Sequence, residues 1–339
     1  ASTSRSPHSM HMRQTPWSLW LRLVQVVCTL GLGVILWRSL DWGLFNDSIA
    51  GLHWSFVGLA ALFLLIVHGF NIMRWRGLLP PNTISLSTLT SYYGAGLFSS
   101  NFLPTGVGGD AVRVALTGTR VGWSQALLSV MLDRGMGLIG LSFFFVPGLW
   151  FGLPDGIMER MTISFARLTG LWPLAAIGVV VAVGIGGVFV YRRGRQVQGM
   201  LSRFQQGDDK ASTFRRSGRE WVIMILISYA ISACSILSLI AAHWAVLQAL
   251  GIVISPGAAI WLTIIGSLSL MVPISINGLG VLESVFIIVL ATYSVSAPAA
   301  LASALLIRVL SITFSLLGGF LSLGQNWHTD KVGSDAPLP

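Results

Sequence analysis

The sequence predicts an all-α polytopic membrane protein, with about six full transmembrane helices and two re-entrant helical hairpins arranged as an inverted repeat. Three observations carry that expectation. Hydrophobic residues make up 54% of the 339-residue chain and charged residues 10%, at a mean hydropathy of +0.76. Soluble domains carry about 25% charged residues, so too little polar surface is present to cover a water-facing globule. Six segments reach the roughly 20 apolar residues that a crossing helix needs, and two more are apolar but interrupted by Gly and Pro.

In chain order, a polar and basic tail, residues 1–16, precedes apolar segments at 20–40 and 52–73. The first broken segment, 86–116, is split at Pro104, Gly106, Gly108 and Gly109. Full spans follow at 125–150, 171–191 and 221–250. The second broken segment, 256–295, is split at Pro273, Gly278 and Gly280, and a last span covers 299–323 before a tail at 326–339. Each half of a broken segment is about 12 to 18 residues long, which suits a hairpin better than two crossings. Irregular backbone at membrane depth is tolerated where protein or a wet cavity satisfies it, so the breaks point to a cavity.

Orientation follows from the loops. The connection at 192–219 carries eight basic residues against Asp208 and Asp209, so the positive-inside rule places it in the cytoplasm. Counting outward puts both termini inside, Arg74 and Arg76 at an inner span end, and Asp41 and Asp47 outside. The tryptophans, Trp75 included, fall near span ends as an aromatic belt would. The net charge of +9 is thereby a matter of topology, and nucleic acid is not expected as a partner. Cys28 and Cys234 lie within apolar spans and read as packing residues.

The two broken segments resemble one another. Pro104-Thr105-Gly106-Val107-Gly108 precedes Asp110, and Asn277-Gly278-Leu279-Gly280 precedes Glu283, with an Arg deep in each following span, Arg134 and Arg308. The copies divide a single transmembrane unit, 17–325, into repeats at about 17–150 and 168–325. With this topology one hairpin enters from the cytoplasm and the other from outside, a recurrent transporter plan.

Charge at the bilayer centre is expensive and is kept when paired or functional. Asp110, Arg113, Asp133, Arg134, Glu283 and Arg308 are therefore the candidate substrate-binding residues, expected to line one polar midplane cavity. Arginine matches phosphate oxygens bidentately, and the acids would balance a cationic headgroup or bind a proton. Structural ion pairs are the plainer alternative. Asn101 and Asn277 flank the breaks as caps or as donors to a ligand, and Tyr92 and Tyr93 accompany the first hairpin. His68 and His243 have no second ligand at metal spacing, so packing is expected and metal is not. Neither a Walker-type G-x-x-x-x-G-K-[ST] loop nor H-E-x-x-H or G-x-S-x-G is present, so no cofactor and no enzymatic activity are expected.

The run Asn101-Phe-Leu-Pro-Thr-Gly-Val-Gly-Gly-Asp-Ala-Val-Arg113, then Asp133-Arg134, then Pro273 with Gly278-Leu-Gly-Val-Leu-Glu283, resembles the flippase-like membrane domain of lysylphosphatidylglycerol synthases and its stand-alone relatives. The likeness spans about 20–323, without the soluble synthase domain. It implies a bacterial inner-membrane unit that moves a modified phospholipid or lipid-linked headgroup between leaflets, the headgroup being zwitterionic, cationic or glycosylated. By position it carries the polar role to Asp110, Arg113, Asp133, Arg134 and Glu283; Arg308 rests on the repeat. Expected partners are the lipid itself, a second copy of the chain and a lipid-synthesis enzyme. The competing expectation is an accessory or scaffold subunit of a lipid- or glycolipid-modifying pathway.

Overall fold

The computed structural model describes Arg38 and residues 42–101, 108–151, 218–271 and 275–324. Within them the chain is helical: α1 (Trp42–Ala50), α2 (Trp54–Leu78), α3 (Leu86–Ser100), α4 (Gly108–Val121), α5 (Trp123–Phe151), α6 (Gly218–Ala249), α7 (Pro256–Ser269), α8 (Val281–Ala291) and α9 (Ala297–Gly324), with a 3-10 turn at Ile276–Gly278. Four of the six expected spans are found as α2, α5, α6 and α9; those at 20–40, Arg38 apart, and 171–191 lie outside the described residues. At 1.5 Å per residue, the shortest of the four, α2 with 25 residues, is about 37 Å long and exceeds the ~30 Å hydrocarbon core. All four are apolar enough to cross a membrane. Their outer faces display Leu62, Leu65, Met131, Phe143, Leu226, Leu317 and Phe320. In water such a surface would aggregate; against acyl chains it is matched.

The four intervening helices are shorter, 15, 14, 14 and 11 residues for α3, α4, α7 and α8. Local signals set their ends. Ser85 caps α3 by accepting the Thr88 N–H at 3.2 Å. Gly122, at φ 88°, turns α4 directly into α5, and Pro256 opens α7 where its missing N–H costs nothing. α1 lies in what the sequence reads as an external loop, and it packs on α9.

The order long, short, short, long thus occurs twice, as α2–α5 and α6–α9. Contacts follow the same pattern. α2 packs along α6; α3 packs on α9 as α7 packs on α5. α3·α4 and α4·α5 have counterparts in α7·α8 and α8·α9, and α5·α6 has one in α9·α2.

Small residues permit these approaches. Ala60, Ala242, Ala245, Ala300 and Ala304 are fully buried, in a core with Leu262, Phe286 and Leu290, as expected where helices associate by close packing rather than by hydrophobic exclusion. Gly94 of α3 meets Gly318 of α9 so closely that a Cβ on Gly94 would stand 2.5 Å from the Gly318 carbonyl oxygen. A second core joins Trp75, Leu89, Tyr93, Val121, Ala126 and Val130.

Two expectations are corrected here. Trp75 is fully buried, not a belt residue: its indole N–H donates to Ser129 Oγ at 3.2 Å. Trp54, Trp123 and Trp150 are exposed at helix ends as a belt requires. Cys234 is exposed on α6 rather than packed inside, whereas Cys28 lies outside the described residues.

Candidate functional site

The first polar cluster grows from α2, α4 and α5. Asp133 sits about 15 Å along α5 from Trp123, and it is 3% exposed. Its Oδ1 accepts from Arg74 Nε at 2.7 Å and its Oδ2 from Arg113 at 2.9 Å. Arg113, one turn into α4 from Asp110, also donates to Asp110 Oδ1 at 3.3 Å. Asp110 Oδ2 accepts from Arg134 Nε at 2.6 Å. The Arg113 guanidinium lies 4.0 Å over the Trp75 ring and 5.4 Å from that of Tyr93, a cation–π seat that holds a buried charge without a further anion. Arg74 NH1 donates to Ser232 Oγ of α6 at 3.1 Å, tying the cluster to the second half.

The second cluster is smaller. Glu283, in the first turn of α8, accepts from Arg308 of α9 at 2.5 Å on Oε1 and 3.1 Å on Oε2, the bidentate form that suits arginine and carboxylate. Glu283 Oε2 also accepts the Gly280 N–H at 2.8 Å. Arg308 reaches past the carboxylate to the carbonyls of Asn277 and Gly278 at 3.2 and 3.0 Å. One guanidinium therefore clasps both the loop and the helix that follows it. That loop requires left-handed backbone, with Asn277 at φ 49°, Gly278 at 67° and Gly280 at 80°. Such angles come readily to Gly and are tolerated by Asn.

Asp110 with Arg134, and Glu283 with Arg308, are thus the same pairing built twice: an acid in the first turn after a break and an arginine from the next long helix. Their surroundings differ. The Arg134 side chain is 53% exposed, that of Arg308 10%. Between the clusters, Asn277 Nδ2 donates to Asn101 Oδ1 at 2.9 Å. Asn101 in turn donates to Ser315 of α9, whose hydroxyl donates to Leu97 O at 3.0 Å. The two asparagines were expected as caps or ligand donors; they bond each other across the halves.

All eight candidate binding residues fall within the described residues. They form two clusters bridged by an amide contact, in place of the one shared lining expected from the sequence. Of the break residues, Gly108 and Gly109 open α4, with Gly109 pressed on Gly96 and Ser100 of α3. Pro104, Gly106 and Pro273 lie outside the described residues. Two grooves, about 570 Å³ beside Phe98 and Phe320 and about 440 Å³ beside Arg76 and Pro80, border neither ion-pair cluster.

Sequence reasoning missed Arg74, reading it as a marker of the inner span end. It is 7% exposed. A signal was present in the helical spacing: His68, Asn71 and Arg74 make one stripe on α2, and Ser228, Ser232 and Ser235 make another on α6. The stripes meet, with Ser235 donating to Asn71 Oδ1 at 3.0 Å. His68 and His243 have the packing roles expected of them. His68 shares a hydrogen bond with the Tyr93 hydroxyl at 3.2 Å, and His243 one with Thr263 at 2.7 Å against the Phe286 ring.

Comparison with curated proteins finds no match. The family profile described as the lysylphosphatidylglycerol synthase TM region matches residues 21–319, which takes in both clusters, both breaks and all but the last residues of α9. A match over most of the chain, carried by these helices, makes the protein a multi-pass membrane protein that belongs to the lysylphosphatidylglycerol synthase transmembrane-region family.

Proposed function

We propose that the protein is a lipid transporter of the flippase type, without enzymatic activity, that moves a lipid headgroup between leaflets by opening its two halves in turn. The observation that carries this reading is the unlike exposure of two like pairs: Asp110–Arg134 is open while Glu283–Arg308 is sealed. In an alternating device built from two related halves, each half takes in turn the conformation its counterpart has just left. The paired helix contacts support the relation between halves.

The finer topology belongs to the same proposal. α3 with α4 is a re-entrant hairpin from the cytoplasm, and α7 with α8 is its inverted counterpart from outside. The chain has six crossings in a bacterial inner membrane, with both of its ends on the cytoplasmic side. Asp133 lies about 15 Å along α5 and Arg308 about 16 Å along α9, so opposite entry would bring the two clusters to similar depth. Sealing the second pair holds the outer route shut, and the Asn101–Asn277 contact lets each half sense the other.

The test is leaflet exchange of a fluorescent phospholipid in vesicles containing the purified protein. Glu283→Gln and Arg308→Ala should each slow exchange at least tenfold, with folding checked by thermal stability. Unchanged rates in both folded variants would remove the second pair from the mechanism and the reading with it.

A further inference from the structure

The second break is a shell of oxygen atoms closed on one positive group. Four acceptors meet the Arg308 guanidinium: Glu283 Oε1 at 2.5 Å, Glu283 Oε2 at 3.1 Å, and the carbonyls of Asn277 and Gly278 at 3.2 and 3.0 Å. All of them come from the stretch 277–283, so the turn and the start of α8 wrap a single point. Just before that turn, Ser275 is 6% exposed and its hydroxyl oxygen has no hydrogen-bond partner. A buried hydroxyl left without a partner is costly, and a ligand that arrives in another state of the protein would supply one.

The positive group in this shell is tethered to a different helix. Arg308 stands on α9, while its acceptors stand on the turn and on α8. Any motion that parts α8 from α9 withdraws the guanidinium and leaves a carboxylate and loop carbonyls at membrane depth without it. That state is costly unless another positive charge moves in. Carboxylate, carbonyl and hydroxyl oxygens are hard ligands, and unwound carbonyls beside a half-helix are where transporters coordinate sodium. The single carboxylate sets the valence: a monovalent ion leaves the shell neutral, and a divalent one would leave a net charge of its own.

We infer that the second break is a site for a hard monovalent cation of the sodium class, with Ser275, Asn277, Gly278 and Glu283 as its ligands. The Arg308 guanidinium fills the site in the sealed state, and the ion takes its place when the outer route opens. This rests on the alternating reading for the step that withdraws Arg308. Guanidinium and ion claim the same oxygens, so the sealed protein has no room for the ion. An ion that binds only the open state shifts the population toward that state, which couples lipid exchange to the cation outside.

Thermal unfolding of the full chain in detergent, in sodium chloride and in choline chloride at equal ionic strength, reads the site directly. Arg308→Ala should regain about half of its lost melting temperature in sodium and none in choline, whereas the parent should melt alike in both. In the Arg308→Ala background, Ser275→Ala should weaken the apparent sodium affinity about tenfold, and Glu283→Gln should abolish the response. The wild-type protein gives a reading that does not depend on how the variants fold. Exchange of a fluorescent phospholipid in phosphatidylcholine vesicles should run about fivefold faster with sodium outside than with choline outside. A folded Arg308→Ala chain indifferent to sodium, or a sodium response that Ser275→Ala leaves intact, overturns the proposal. So does wild-type exchange that is measurable but equal in the two salts. Acid in choline giving the same recovery as sodium would put a proton on Glu283 in place of an ion, and it too overturns the assignment. Sodium recovery in Arg308→Ala, in a protein whose wild type exchanges no lipid in either salt, keeps the site and refutes the transport reading alone.

Discussion

The Asp110–Arg134 and Glu283–Arg308 pairs have the same parts, and they are used differently. At the second break the arginine spends its donors on the carboxylate and on two loop carbonyls, so charge, helix end and strained turn close on one another. At the first, the acid is shared between two arginines and one of them faces outward. What differs is how far each arginine is enclosed. An ion pair that also satisfies its own loop is a latch, and one whose arginine faces outward leaves its loop free of that clasp.

The largest effect that would sharpen this contrast is at the latch. Arg308→Ala leaves Glu283 buried beside two carbonyls that lose a donor, and stripping one partner from a buried pair costs about 3–5 kcal/mol. Thermal unfolding in detergent should show that loss, and the double variant Glu283→Gln with Arg308→Met should recover a good part of it. A single variant as stable as the parent would mean that the second break is held by something other than its arginine.

An intermediate effect is expected where the two breaks touch. Asn101→Ala removes the acceptor of Asn277 and the donor to Ser315, a loss of about 1–2 kcal/mol for partly buried amides. A double-mutant cycle with Asn277→Ala isolates the bond between them, because Ser315 enters only one of the single variants. Coupling near zero would show that the two breaks are neighbours without being linked, and the comparison would then concern two independent devices.

Much of this arrangement could be read in the sequence, for a physical reason. Charge within an apolar run is rare because it is costly, so Asp110, Asp133, Glu283 and Arg308 stand out one by one, and Gly–Pro breaks show where helices cannot continue. Span limits were found to within a few residues in α5, α6 and α9 for the same reason. Arg74 and Trp75 were misread because residues near a span end look interfacial in a linear pattern, and only the packing of α5 and α6 against α2 makes them interior. The Asn101–Asn277 bond joins residues far apart in the chain, and nothing local to either encodes it. Nor does sequence distinguish the sealed pair from the open one, since Asp110 followed by Arg134 and Glu283 followed by Arg308 look alike until burial is known.

The smallest structural effect is expected at Arg134. Its side chain is 53% exposed and its acid is shared with Arg113, so losing it should cost less than losing the enclosed Arg308. Asp110 keeps Arg113 as a partner when Arg134 is lost. Arg134→Ala should therefore unfold within a degree or two of the parent while the equivalent change at Arg308 does not. That inequality isolates the comparison from any assumption about lipid, because both variants delete a guanidinium that the next long helix brings to its acid. Equal losses at both sites would mean that the exposed pair is as structural as the sealed one.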